Sequence, residues 1–93
     1  MKSVAVIGSG MVGENLANGF IKHGYSPVIW ASRDPSKLAD WVASSGGQAA
    51  TLAEAASKCD VIVLCVPGMA AKAALEQCGM ENLKGKTVVN ANI

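Results

Sequence analysis

Short runs of apolar residues alternate along this chain with longer segments in which apolar residues recur every three or four positions. The runs are rich in valine and isoleucine, as buried strands are, and the recurring pattern is typical of amphipathic helices. Five strands are expected, at Val4–Ile7, Pro27–Ala31, Gln48–Ala50, Asp60–Val66 and Thr87–Asn92. Helices that alternate with strands predict a parallel sheet with right-handed crossovers.

The first two helices follow from their apolar faces and their terminal residues. The first is expected from about Gly10 to His23, with Gly24 as a left-handed cap. Its predicted buried stripe comprises Val12, Leu16 and Phe20. The second is expected to begin with Asp34 as N-cap and Pro35 in the first turn. Its apolar face comprises Leu38, Trp41 and Val42, and it ends near Gly46 and Gly47.

The later helices are shorter or less strongly patterned. Thr51 and Glu54 form the T-x-x-E capping box of a helix that reaches about Lys58. A further helix follows Pro67 and Gly68 and is closed by Gly79. Its predicted buried face comprises Ala71, Ala74, Leu75 and Cys78. The segment Lys84–Lys86 is expected to form a turn before the fifth strand.

These elements predict an α/β fold, a Rossmann-type doubly wound parallel sheet of five strands in the order 3-2-1-4-5. In such a sheet the strand order reverses between the first and fourth strands. Ligands bind in the crevice at that switch point, outside the carboxyl ends of the strands.

A glycine-rich turn follows the first strand at this predicted switch point. Gly8, Gly10 and Gly13 form the pattern G-x-G-x-x-G, with a strand before it and a helix after it. Gly8 permits a sharp turn, Gly10 lets a pyrophosphate approach the backbone, and Gly13 lets the helix lie close to its strand. The candidate cofactor-binding segment comprises Gly8, Ser9, Gly10, Met11, Val12 and Gly13. The alternative is a structural turn without a ligand.

The end of the second strand indicates which dinucleotide would bind. A carboxylate there would favour NAD, whereas an arginine can hold the 2′-phosphate of NADP. This chain has Ser32 and Arg33 at that place, and Asp34 is required as a helix cap. We therefore predict NADP, held by Arg33 and Ser32 with a further contribution from Lys37. The alternative is that the two cations are solvated surface residues.

Two further loops leave the carboxyl ends of predicted strands. Val66 and Pro67 follow the fourth strand and are expected beside the ribose and nicotinamide. Asn92, at the end of the fifth, is expected to hydrogen-bond a carboxamide or ribose. No catalytic residue is predicted, because the sequence shows no nucleophile and base arrangement and hydride transfer relies on the cofactor.

Composition excludes several classes of protein. The 93 residues are 51% hydrophobic with a formal net charge of +1, which is typical of one globular domain. Scattered basic residues do not favour nucleic acid, and no apolar segment approaches the ~20 residues of a membrane span. We expect a cytoplasmic protein without nucleic-acid or membrane partners.

The remaining side chains with chemical potential are interpreted as structural. Three cysteines without a C-x-x-C pair argue against disulfides and a metal site, and they are expected to be buried inert thiols. His23 is expected on the surface, away from the cofactor. Trp30 and Trp41 are expected to be packing residues rather than ligand contacts.

Four segments together resemble the N-terminal domain of NADP oxidoreductases that include the deazaflavin (coenzyme F420)-dependent NADP reductases. They are Gly8–Gly13, Ser32–Asp34, Val63–Pro67 and Leu83–Val89, and the resemblance covers nearly the whole chain. Pyrroline-5-carboxylate reductases and 3-hydroxyacid dehydrogenases share much of the pattern, so it fixes no substrate.

The chain departs from those relatives near its last residues. Members often end the fifth strand with an Asp followed shortly by Asn-Pro. Here Asn92 matches the Asn, while Asn90 and Ile93 replace the other two.

The resemblance implies the NADP(H)-binding domain of an oxidoreductase, with a deazaflavin or a small carbonyl or imine as hydride acceptor. Such enzymes add a helical segment that completes the substrate pocket and often a homodimer. Residues 1–93 would then be the N-terminal part of a longer enzyme. The alternative function is a dinucleotide-sensing regulatory module without turnover.

Overall fold

The computed structural model describes residues 3–8, 10–32, 35–65 and 68–90. Five short strands and five α-helices lie within these residues, with one 3-10 turn at Pro35–Leu38. The strands are β1 Val4–Ile7, β2 Val28–Ala31, β3 Gln48–Ala50, β4 Val61–Leu64 and β5 Thr87–Asn90. The helices are α1 Gly10–Lys22, α2 Ala39–Ser45, α3 Leu52–Lys58, α4 Gly68–Cys78 and α5 Met80–Leu83.

The strands form one parallel sheet in the order β3-β2-β1-β4-β5. This confirms the predicted fold class and strand order. Ile7 at the end of β1 pairs with Ala31 of β2 on one side and with Leu64 of β4 on the other. The residues that follow these three therefore leave the sheet side by side at its carboxyl edge.

The two faces of the sheet are covered by different helices, because successive strand side chains point to opposite faces. Helices α1 and α2 cover the face that we call the tryptophan layer. Its buried members are Val4, Val6, Ala17, Val28, Trp30, Trp41, Val63 and Cys65. The other face, under α3 and α4, is called the alanine layer. Its buried members are Ala5, Ile7, Ile29, Ala31, Ala50, Leu52, Ala55, Ala56, Cys59, Ile62, Leu64, Ala74 and Cys78.

The C-terminus of α1 has the glycine cap that the sequence predicts. Gly24 has φ of 89°, and its N–H donates to the carbonyl oxygen of Ile21 at 3.1 Å. The N–H of Tyr25 donates to the carbonyl oxygen of Phe20 at 3.1 Å, while the rings of Phe20 and Tyr25 meet edge to face. This is a Schellman motif with its usual hydrophobic contact.

The predicted buried stripe of α1 is wrong in its details. Gly13 and Ala17 lie fully against the sheet, whereas Leu16 and Phe20 are half-buried at the sides. The side chain of Val12 lies outside the described part. Small residues occupy the line of closest approach because the helix backbone lies near β1, and larger side chains fit only beside that line.

The second helix also begins later than predicted. Residues Pro35–Leu38 form the 3-10 turn, and regular α-helix starts at Ala39 with Leu38 as N-cap, without a side-chain hydrogen bond. The predicted cap Asp34 lies outside the described residues. A proline-led first turn can take tighter i to i+3 hydrogen bonds before the α-helix is established.

Several other boundaries differ by one or two residues. Helix α1 ends at Lys22 rather than His23, and β2 begins at Val28 rather than Pro27. Strand β4 spans Val61–Leu64 within the longer predicted run. The short helix α5 was not predicted at all. By contrast, the Thr51 cap of α3 is confirmed, since its side chain accepts from the N–H of Glu54.

Candidate cofactor site

Gly8 occupies a position that admits no side chain. It follows β1 directly, and a Cβ built on it would lie 2.4 Å from the Sγ of Cys65 and 2.7 Å from the carbonyl oxygen of Cys65. The N–H of Cys65 in turn donates to the carbonyl oxygen of Ile7 at 2.8 Å, and its thiol contacts the same oxygen at 3.2 Å. The exits of β1 and β4 are therefore locked together at the switch point of the sheet.

Gly13 allows the close approach of α1 to the end of β1. A Cβ at this position would lie 3.0 Å from the Nε1 of Trp30 and 3.3 Å from both the carbonyl carbon and oxygen of Gly8. The third glycine of the pattern thus packs directly on the first. This contact confirms the reason that the sequence pattern gives for a glycine there.

The amino end of α1 begins within this turn, at Gly10. The first N–H groups of a helix have no partner within the helix, and the helix dipole places partial positive charge beside them. The first turn of α1 contains no acidic residue that would oppose an anion. Backbone donors, small residues and a favourable dipole together fit a phosphate group.

Trp30 contributes a hydrogen bond that the sequence interpretation did not foresee. Both Trp30 and Trp41 are buried and pack edge to face, as expected of packing residues. The indole Nε1 of Trp30 also donates to the carbonyl oxygen of Gly8 at 2.8 Å. A buried indole normally finds an acceptor, so its position one residue before the end of β2 was the available signal.

The three thiols are buried and unsuited to nucleophilic chemistry. Burial raises the pKa of Cys65 and of Cys78 above their ordinary value of 9.0. Burial likewise raises the pKa of Cys59, against the lowering effects of a hydrogen bond from Ser3 and of nearby Lys86. All three cysteines are free. At neutral pH they remain protonated, which agrees with the expectation of inert thiols.

The register of the sheet brings part of the predicted site together. Ile7 pairs with Ala31, so Gly8 and Ser32 follow the paired residues at the same edge. The backbone N–H of Ser32 donates to the carbonyl oxygen of Ala50 at 3.0 Å. Lys37 is exposed within the 3-10 turn that comes next in the chain.

Several other predicted site residues stay predictions. Ser9, Arg33, Val66, Pro67 and Asn92 lie outside the described residues. Met11 and Val12 lie in the first turn of α1. Across the described part of the chain, no group of three or more histidine, cysteine or acidic residues could hold a metal ion. His23 is exposed in the turn after Lys22, at the end of α1 remote from Gly10.

Comparison with known proteins agrees with this geometry. Residues 3–92 match the family described as NADP oxidoreductase, coenzyme F420-dependent. The chain belongs to this family. This match confirms the resemblance that the sequence motifs indicated. It also confirms NADP as the cofactor at the level of the family.

Two solved structures share the fold closely, and a further relative is similar in sequence. A proposed F420-dependent NADP reductase from Arthrobacter sp. FB24 superposes with a TM-score of 0.87 at 30% identity, covering 97% of this chain and 44% of that one. An imine reductase from Bacillus cereus BAG3X2 superposes with a TM-score of 0.80 at 32% identity, covering 99% and 32%. An NADPH-dependent reductive aminase from Aspergillus oryzae is 27% identical, over 96% of this chain and 30% of its own length.

This NADP oxidoreductase-family chain spans less than half the length of each of those relatives. Among the described residues, none of the helices has the length and apolar character needed to cross a membrane.

Proposed function

We propose that this chain binds NADP(H) for hydride transfer in an oxidoreductase, with the pyrophosphate at the Gly8–Gly13 turn. The observation that carries the proposal is the pair of glycine contacts at the switch point. A Cβ on Gly8 would collide with Cys65, and one on Gly13 would press on Gly8 and Trp30. Both ends of the turn, Gly8 and Gly13, are thus bare backbone beside a helix amino end, which suits a dinucleotide phosphate.

The 2′-phosphate of the adenosine ribose is assigned to Ser32 and Arg33, with Lys37 as a further cation. Ser32 begins the segment that leaves β2 at the same edge as Gly8, which supports this assignment. Arginine offers a planar, bidentate donor that matches a phosphate. A carboxylate would repel the 2′-phosphate, and none precedes Asp34 in this segment.

The nicotinamide half is assigned to the loops after β4 and β5. Leu64 pairs with Ile7 on one side and with Asn90 on the other, so β4 and β5 end at the same carboxyl edge of the sheet as β1. Val66 and Pro67 would border the ribose and nicotinamide, and Asn92 would hydrogen-bond a carboxamide or hydroxyl. When bound, NADPH supplies the hydride, and the protein positions the ring and excludes water.

Calorimetric titration with NADPH and NADH tests the cofactor assignment. We expect tighter binding of NADPH, and we expect Arg33→Ala to remove most of that preference while leaving NADH affinity nearly unchanged. Lys22→Ala is the matched control, because it removes one positive charge at the far end of α1. Failure of both nucleotides to bind at millimolar concentration would overturn the proposal.

The hydride acceptor is proposed to be a small imine or carbonyl compound, or a deazaflavin. The Bacillus imine reductase and the Aspergillus reductive aminase favour the first class, and the Arthrobacter structure favours the second. Oxidation of NADPH, followed at 340 nm, should be compared for a cyclic imine, a ketone with an amine, and an oxidised deazaflavin. Tight NADPH binding without turnover of any acceptor would fit either a dinucleotide-sensing module or the cofactor-binding part of a longer enzyme.

A further inference from the structure

The indole of Trp30 lies between the two ends of the glycine turn. Its Nε1 donates to the carbonyl oxygen of Gly8 at 2.8 Å, and the same nitrogen would be 3.0 Å from a Cβ on Gly13. One polar edge of one side chain therefore touches the glycine that leaves β1 and the glycine that begins the close packing of α1.

The ring is itself held in place from behind. Trp30 packs edge to face on Trp41, with centroids 5.2 Å apart and planes at 87°. The Nε1 of Trp41 donates to the Oδ1 of Asn18 on α1 at 2.8 Å. Both tryptophans are less than a tenth exposed. These contacts connect the end of β1, through the two indole rings, to the middle of α1.

Gly8 needs such an external restraint. A glycine has no side chain to limit its backbone angles, so many orientations of its carbonyl are sterically open. A carbonyl withdrawn from water requires a hydrogen-bond partner, and the indole N–H provides one in a fixed direction. The orientation of this peptide group sets where the following N–H groups of the turn and of α1 point.

We propose that Trp30 is a positioning residue for the dinucleotide site, acting through its indole N–H on the Gly8 carbonyl. The proposal rests on the function proposed above. Trp30 holds the turn in the conformation that receives the pyrophosphate, so cofactor binding does not have to order it. Removal of the N–H weakens NADPH binding, and removal of the equivalent N–H of Trp41 does not.

An isosteric change separates this hydrogen bond from packing. The chain has two tryptophans, so Trp41→Phe leaves Trp30 as the only one. Replacement of that remaining tryptophan by benzothienylalanine, in a tryptophan-auxotrophic host, exchanges the N–H for sulfur and preserves the ring shape. NADPH affinity by calorimetry and Tm by circular dichroism should be measured for the wild type, Trp41→Phe and the substituted Trp41→Phe protein.

We expect Trp41→Phe to bind NADPH within about twofold of the wild type, and the benzothienyl protein to bind about tenfold more weakly, as loss of one buried hydrogen bond implies. Trp30→Phe is the encoded counterpart and should also weaken binding. Hydrogen exchange of the amides at residues 8–13 should accelerate in the benzothienyl protein at a temperature well below its Tm. A merely structural role would lower Tm without this local acceleration.

The outcomes distinguish the two proposals. If the wild-type protein binds no NADPH, the proposed function and this inference both fail. If the wild type binds, and the benzothienyl protein binds equally well, only the positioning role is overturned. An equal loss of affinity in Trp41→Phe would also overturn it, because general loosening of the tryptophan layer would then explain the effect.

Discussion

The two faces of the sheet are covered by different types of side chain. The tryptophan layer combines two large indoles with valines, and each indole N–H has a defined acceptor, one on Gly8 and one on Asn18. The alanine layer consists of small and aliphatic residues, and apart from the thiols of Cys59 and Cys78 its side chains carry no hydrogen-bond donor. The tryptophan layer contains directional interactions, whereas the alanine layer stabilises the fold by packing and burial.

This difference teaches where the site obtains its geometry. Hydrophobic burial is not directional, so the alanine layer can hold α3 and α4 on the sheet without orienting any peptide group. The tryptophan layer contacts the glycine turn through the hydrogen bond from Trp30 to the Gly8 carbonyl oxygen, which is directional. We therefore expect loss of the Trp30 contact with the turn to affect cofactor affinity, and changes in the alanine layer to affect mainly stability.

Gly8→Ala should give the largest effect, because it places a Cβ against both Sγ and backbone of Cys65. We expect a loss of about 1–3 kcal/mol in the free energy of unfolding from overpacking. We also expect at least about tenfold weaker NADPH binding, equivalent to about 1.4 kcal/mol. Urea denaturation and calorimetry measure the two quantities.

The control for this substitution lies on the neighbouring helix. Gly19, within α1, has nothing within 4 Å of the position of a Cβ. Gly19→Ala should stabilise the protein by about 0.5–1 kcal/mol and leave affinity unchanged. A second test combines Gly8→Ala with Cys65→Ala. The contact with sulfur is then gone but the contact with the Cys65 backbone remains, so we expect stability and NADPH affinity to recover only in part. Full recovery would show that the thiol alone excludes a side chain at Gly8.

Ala55→Leu tests the alanine layer. Ala55 belongs to α3 and is completely buried, so a larger side chain there should cost about 1–3 kcal/mol in stability. NADPH affinity should remain within about twofold while the protein stays folded. Ala53→Leu, exposed on the same helix, is the matched control and should change neither quantity appreciably. A large loss of affinity in Ala55→Leu at full folding would contradict the division between the two layers.

The strand order was predictable because it depends on coarse patterns. Apolar runs separated by helical periodicity leave few topologies when crossovers are right-handed. The glycine turn was equally accessible, since Gly8 and Gly13 are required by close backbone contacts that a sequence pattern records directly. The glycine spacing between a strand and a helix is a local pattern, and it indicates the turn even though Cys65 and Trp30, distant in sequence, supply part of the contacts.

Features that depend on contacts between distant residues were less accessible. The hydrogen bond from Trp30 to Gly8 joins residues 22 positions apart, and composition shows only that a buried indole needs some acceptor. The buried line of α1 was misassigned to large apolar residues, because the pattern does not show how near the helix lies to β1. Ala17 at that line reads as neutral in a sequence, and only the packing identifies it as core.

Thr51→Ala should produce a moderate effect at the edge of the alanine layer. The Thr51 side chain accepts from the N–H of Glu54 at 3.3 Å and caps α3. Its loss should cost about 1 kcal/mol, measured as a lower urea midpoint with an unchanged slope. Thr51→Ser retains the hydroxyl and should recover most of that loss. NADPH affinity should not change, because the hydrogen bonds of this cap join Thr51 and Glu54 and do not involve the glycine turn.

The smallest expected effect concerns the other end of the same helix. The Nζ of Lys86 donates to the carbonyl oxygens of Ala56 and Ser57, the latter at 2.9 Å, where α3 leaves its last carbonyls unpaired. The positive charge of Lys86 also interacts favourably with the negative end of the helix dipole. Lys86→Met should therefore cost about 0.3–1 kcal/mol at low salt.

Salt and a neighbouring lysine sharpen this last test. The dipole interaction is screened by ions, so the difference between Lys86→Met and the wild type should shrink in 1 M salt. Lys84→Met removes an exposed charge two residues away and should have no comparable effect. Equal losses in the two variants would mean that net charge, rather than the contact with α3, is responsible. A change in NADPH affinity with Lys86→Met would show that changes in the alanine layer alter the conformation of the glycine turn. The distinction between the layers would then have to be abandoned.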